Sequence, residues 1–141
     1  MPEFTGKTAL VVDDEASVRL LLREALEELG LEVSEAVDGA DAIEQSLETQ
    51  FDLVTMDILM PNVNGLDAIR ALRMVDPDYR IIVVSSCTEE KYLRTVRELG
   101  VADFIPKPVR LAELYAAVRR LLPADRPSSA ARPPHDGADG G

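Results

Sequence analysis

Thiols, imidazoles and basic charge are all scarce in this chain. Cys87 is the single cysteine, so neither an internal disulfide nor a cysteine-built zinc site can form, and a reducing, cytoplasmic setting fits. His135 is the single histidine and lies in a stretch of proline, alanine and glycine. That rules out a Ser-His-Asp triad, a histidine metal cluster and a phosphohistidine within the folded part. Lysine and arginine number 15 against 26 aspartates and glutamates, a net charge of −11. A binder of the nucleic-acid backbone shows a basic stripe, so nucleic acid is not an expected partner. No apolar run approaches the roughly 18 residues a membrane span needs. The start, "MPEFTGKTALVV", lacks the basic-then-apolar order of a secretory signal.

The chain does have 141 residues, 46% of them hydrophobic, enough for one domain with a proper core. Residues 123–141, "PADRPSSAARPPHDGADGG", contain no apolar side chain larger than alanine. Such a segment cannot bury enough surface to offset its ordering entropy, so a disordered tail is expected there. Residues 1–6 are expected to form a flexible leader, which leaves 7–122 as the domain. The tail holds three acids against two arginines, so nearly all the negative charge belongs to the domain, much of it as a solubilising surface.

Five apolar runs alternate with helix-like segments: "TALVV" (8–12), "EVSEAV" (32–37), "LVTM" (53–56), "RIIVVS" (80–85) and "DFIP" (103–106). Short runs rich in valine and isoleucine suit strands covered on both faces. The second run alternates with polar residues and suits a more exposed strand. Between the runs, "ASVRLLLREALEELG" repeats its apolar residues at helical spacing and stops at Gly30. "GADAIEQSLETQ", "GLDAIRALRMVD", "TEEKYLRTVRELG" and "RLAELYAAVRRLL" follow the same pattern, the third of them ending on Gly100. Strict alternation predicts an α/β fold, an open parallel sheet with helices on both faces. Right-handed crossovers leave few topologies. Pro106 belongs on an edge strand, and a 2-1-3-4-5 order puts the fifth strand there.

In such sheets ligands bind beyond the carboxyl ends of the strands. The first strand runs into Asp13-Asp14-Glu15, the third into Asp57, the fourth into Ser85-Ser86 and the fifth into Lys107. Each has a bland reading: acids cap helices, serine caps turns, lysine solvates a loop, and Asp57 precedes a turn at Pro61. Their coincidence at one crevice points further. Three carboxylates held together repel, and at least one has its pKa raised. A hard cation relieves this, and magnesium favours one or two carboxylates plus phosphate oxygens. Asp57 is then placed to attack phosphorus and form an aspartyl phosphate, with Lys107 and the Ser85 hydroxyl on the phosphoryl oxygens. Pro61 and Gly65 turn the chain away from the crevice and begin the next helix.

The strings "VVDDE", "DLVTMDILMPNVNG", "VVSS" and "DFIPKP" resemble the signature of two-component response-regulator receiver domains, in particular the stand-alone chemotaxis type. The resemblance covers roughly residues 7–122. It implies a flavodoxin-like fold, with Asp57 as phosphoacceptor and Mg2+ held by Asp13, Asp14, Asp57 and the Leu59 backbone carbonyl, Asp13 acting mostly through water. Lys107 and Ser85 would contact phosphate, and Ser86 would be the small neighbour that leaves room for it. A cis Lys107-Pro108 peptide is also implied. Ser85 and Phe104 would be the switch pair, changing the face formed by the fourth helix, fifth strand and fifth helix. Phe104 equally suits a plain core role.

The donor implied is a sensor histidine kinase or a histidine phosphotransfer protein, and the output is a downstream protein target. The chain is expected to act as a monomer or a weak phosphorylation-dependent dimer, not as an enzyme on external substrates. It ends shortly after the fifth helix, so no attached output domain is expected. Leu59 and Cys87 stand where a hydrolytic water would pass, and slow dephosphorylation is expected from both. Three rival readings fit parts of the sequence. An aspartate-nucleophile phosphatase needs a second aspartate where Leu59 stands. A flavin-binding protein needs a Ser/Thr/Gly loop where "DDEAS" stands. A non-phosphorylated receiver-like scaffold is the third.

Overall fold

The computed structural model describes residues 2–60 and 64–123. The expected turn at Pro61 and the expected disorder of the tail beyond Pro123, His135 included, lie outside the described residues. Strands β1 (Thr8–Val12), β2 (Glu32–Ala36), β3 (Leu53–Met56), β4 (Ile81–Ser85) and β5 (Asp103–Pro106) alternate with helices α1 (Ala16–Glu28), α2 (Gly39–Glu48), α3 (Gly65–Val75), α4 (Glu90–Glu98) and α5 (Leu111–Leu121). All neighbouring strands pair in parallel, in the order β2-β1-β3-β4-β5. The expected α/β architecture and strand order are therefore present. Pro106 pairs with Ser85 on the edge strand β5, where its missing N–H is least costly.

Strands β3 and β4 are buried at every position, because helices cover both faces of the sheet. Strand side chains alternate, and so divide the core in two. Val11, Leu53, Ile82 and Val84 pack with Leu22 and Leu26 of α1 and with Leu114 and Val118 of α5. Leu10, Val54, Ile81 and Val83 pack with Ala42 of α2, Ile69 and Leu72 of α3, and Val96 of α4. Edge strand β2 buries only Val33 and Ala36 of its five residues.

Two local devices aim the strand ends. The chain leaves α1 and α4 through Gly30 and Gly100, at φ 102° and 70°, left-handed values that stop a helix cheaply only at glycine. Gly65 acts by close approach instead. A Cβ there would lie 2.1 Å from the Asp57 backbone oxygen and 2.6 Å from Ile58 Cα. Its N–H donates to the Ile58 carbonyl at 2.8 Å, so the start of α3 is sewn directly behind Asp57.

Within the leader expected to be flexible over residues 1–6, Glu3 and Phe4 pack against the domain. Phe4 is 1% exposed and belongs to the core under α1 and α5. Its N–H donates to Leu29 O at 2.9 Å, and Glu3 pairs with Arg119 of α5 at 2.7 Å. Burying one phenylalanine ring stabilises by about 2–3 kcal/mol, which, with the Leu29 and Arg119 contacts, offsets part of the ordering cost of the segment. The Phe4 ring is the reason this leader folds onto the domain.

Candidate functional site

The carboxyl ends of β1, β3 and β5 meet at one rim of the sheet. Asp13 follows β1, and its N–H donates to Ala36 O at 3.2 Å, while the Asp57 N–H donates to Val12 O at 3.1 Å. Ladder bonds thus continue one residue past each strand and fix both carboxylates side by side. One ligand oxygen from each of Asp13, Asp14 and Asp57 lies within 4.8 Å of the others. Asp13 and Asp57 are buried, and Asp14 is exposed at the mouth.

Lys107 enters from the end of β5. Its ammonium lies 2.9 Å from Asp13 Oδ2 and 3.1 Å from Asp57 Oδ2, with only 12% of the side chain exposed. Burial pulls this ammonium toward neutrality, but hydrogen bonding and charge from Asp13 and Asp57 outweigh it and hold the group above the ordinary lysine range. Burial pushes the Asp13 carboxyl up, against the Glu15 backbone N–H and Lys107, which both favour its anion. A raised pKa among the clustered acids was expected, and Asp13 is the group that carries it.

The remaining predicted residues are placed as follows. Leu59 is 47% exposed, and its N–H donates to Asp57 Oδ1 at 3.2 Å. The Lys107-Pro108 peptide is cis. Ser85 is fully buried, and its hydroxyl oxygen accepts from the Cys87 N–H at 3.2 Å. That bond uses the Ser85 oxygen as an acceptor and does not engage its hydroxyl proton. Ser86 is exposed, and Cys87 is buried. Phe104 is half-buried and packs against the core cluster that holds Met56, Val83 and Val96. It borders two shallow grooves of about 260 and 300 Å³, one against Glu113, Ala116 and Arg120 of α5, the other against Leu93, Val96 and Arg97 of α4.

Two contacts escape a reading of strand ends. Glu15 Oε1 reaches Lys107 Nζ at 3.2 Å. Arg19 Nη1 donates to Asp13 O at 2.7 Å while its Nε pairs with Glu35 at 2.9 Å, bracing the β1 terminus from α1. The acidic run Asp13-Asp14-Glu15 signalled the first, while nothing in the pattern singled out Arg19.

The cluster fits a hard divalent cation. Its donors are all oxygen, as magnesium requires. Asp13 Oδ2 is buried, and Lys107 Nζ at 2.9 Å, poorly aligned for a hydrogen bond, is its one partner among the described residues. A buried carboxylate oxygen so poorly matched gains from a further cation.

The sequence matches the model described as Response regulator receiver domain over residues 9–119. It is 38% identical over 117 residues to the chemotaxis protein CheY of Thermotoga maritima, an alignment spanning 82% of this chain and 98% of that one. Among solved structures, the Vibrio cholerae chemotaxis response regulator CheY4 superposes with a TM-score of 0.77 at 26% identity, over 82% of this chain and 98% of that one. The response regulator protein TrrA from Thermotoga maritima, solved in complex with Mg(2+)-BeF, superposes with a TM-score of 0.74 at 33% identity, over 82% of this chain and 99% of that one. With the sheet order, the clustered acids and a family match over most of its length, this chain belongs to the response regulator receiver domains.

Proposed function

We propose that Asp57 is the phosphoacceptor of a signalling switch. The observation that carries the reading is the meeting of Asp57 with Asp13, Asp14 and Lys107 at one rim, three acids and one ammonium from separate parts of the chain. An Asp57 carboxylate oxygen attacks the phosphorus of a phosphohistidine. The P–O bond forms as the P–N bond breaks, its electron pair leaving on the imidazole nitrogen. Lys107 offsets charge on the transferring group, and the Asp57–Lys107 contact holds the carboxylate in place for attack.

Asp13, Asp14, Asp57 and the Leu59 carbonyl are the residues that would hold Mg2+, which supplies charge neutralisation to the acids and the phosphoryl oxygens. Solution of the similar protein TrrA with Mg(2+)-BeF supports this assignment. The donor is a sensor histidine kinase or a histidine phosphotransfer protein, and the response is a changed affinity for a protein target. Ser85, whose oxygen accepts from the Cys87 N–H, would donate its hydroxyl proton to a phosphoryl oxygen. Phe104, between the two grooves beside β5, would carry that change to the face of α4, β5 and α5.

Incubation with acetyl phosphate and Mg2+, read by intact mass, tests this directly. The wild type is expected to gain one phosphoryl group and Asp57→Asn none. An adduct of equal yield on Asp57→Asn, or none on the wild type, removes Asp57 from the role.

A further inference from the structure

Lys107 is held by more carboxylates than the proposed transfer uses. Its ammonium lies 2.9 Å from Asp13, 3.1 Å from Asp57 and 3.2 Å from Glu15, whose side chains are 1%, 6% and 60% exposed. Hydrogen bonds to Asp57 and Glu15 and the close contact with Asp13 surround an ammonium that has only three N–H donors, so an arriving phosphoryl oxygen competes with these carboxylates. Releasing a buried carboxylate leaves an uncompensated charge. Releasing an exposed one costs little. Glu15 is the partner that yields most easily.

The local geometry supports the same assignment. Glu15 is the N-cap residue of α1, yet its side chain makes no capping hydrogen bond. Short N-cap side chains such as aspartate or serine turn onto the first backbone N–H groups. This one reaches instead across 92 positions of sequence to Lys107.

We propose that Glu15 is a resting-state latch on Lys107, holding the ammonium against Asp57 until a phosphoryl oxygen takes its place. It is a positioning residue, acting through Lys107, and the idea rests on Asp57 being the phosphoacceptor. Breaking the latch and approaching its negative charge both slow the uptake of a dianionic phosphoryl group, without altering which atom is phosphorylated.

The test compares wild type, Glu15→Gln and Glu15→Asp in two measurements. The first is the initial rate of phosphorylation by acetyl phosphate with Mg2+. Glu15→Gln is expected to react about threefold faster, the scale of one exposed ion pair. Glu15→Asp keeps the charge but is one methylene short, and is expected to fall between. The second is the solvent exchange of the lysine ammonium protons by NMR in metal-free protein. With Lys7 and Lys91 as internal references, the Lys107 signal is expected to exchange severalfold faster in Glu15→Gln. Equal rates in all three proteins, a Glu15→Asp rate equal to wild type, or unchanged Lys107 exchange would overturn the latch alone. No adduct on the wild type would overturn the phosphoacceptor reading and take the latch with it.

Discussion

Leu59 shows how one side chain can set the lifetime of a chemical state. It is 47% exposed, and its N–H holds Asp57 Oδ1 at 3.2 Å. Its backbone thus holds the carboxylate that would carry phosphate, and its isobutyl group can neither orient nor activate a water. Replacing it by asparagine supplies a carbonyl and an amide at the same place. The Asp57 phosphate in Leu59→Asn is expected to decay about fivefold faster, a modest gain beside that of a positioned general base. Following loss of the adduct by mass after removal of the donor measures this, and an unchanged decay rate would refute it. At this scale the sequence was legible wherever backbone placed the group. Asp13, Asp14, Asp57 and Lys107 all follow strands, and strand ends can be read from apolar runs. Ser85 was not legible in the same way. Its position is fixed by β4, but its direction is set by a hydrogen bond to Cys87 that no periodicity announces.

Among the elements, α1 and β2 are joined by a small ionic clamp. Glu35 of β2 pairs with Arg19 at 2.9 Å and with Arg23 at 2.6 Å. Through Arg19, the clamp also grips the Asp13 carbonyl. The Arg23 hydrogen bond lowers the Glu35 pKa, burial opposes this, and Arg19 adds to the lowering. A depressed glutamate stabilises the fold above its ordinary value of 4.5, and that contribution is lost as pH falls through the folded value. The wild type is expected to exceed Glu35→Gln in urea stability near pH 7 by up to about 1 kcal/mol, given the partial exposure of the pairs. The difference is expected to shrink as the pH is lowered below 4.5. A gap of constant size across that range would assign the effect to packing. Element boundaries were readable because glycine and apolar spacing mark them: Gly30, Gly65 and Gly100 all stand where expected. Phe4 was missed because a single aromatic ahead of the first strand has no period, and only the assembled α1–α5 face reveals the slot it fills.

For the molecule as a whole, the rim of the sheet is a place where stability is given up. A net charge of −11 repels itself across the surface, and three carboxylates within 4.8 Å concentrate that repulsion. Lys107 relieves Asp13 and Asp57, but Asp14 at the mouth has no ion pair among the described residues. A cation that binds only the folded state therefore stabilises the whole domain by mass action, about 2.7 kcal/mol at one hundred times its dissociation constant. For a domain of this size that corresponds to a rise in Tm of about 10 °C. Thermal unfolding with MgCl2, against NaCl at equal ionic strength, separates site binding from general screening. The wild type is expected to show the larger rise with magnesium, and Asp14→Asn to lose most of it while changing little in NaCl. An equal response of both proteins to the two salts would mean that the acids are a screened surface patch, and that the cation has no seat among them.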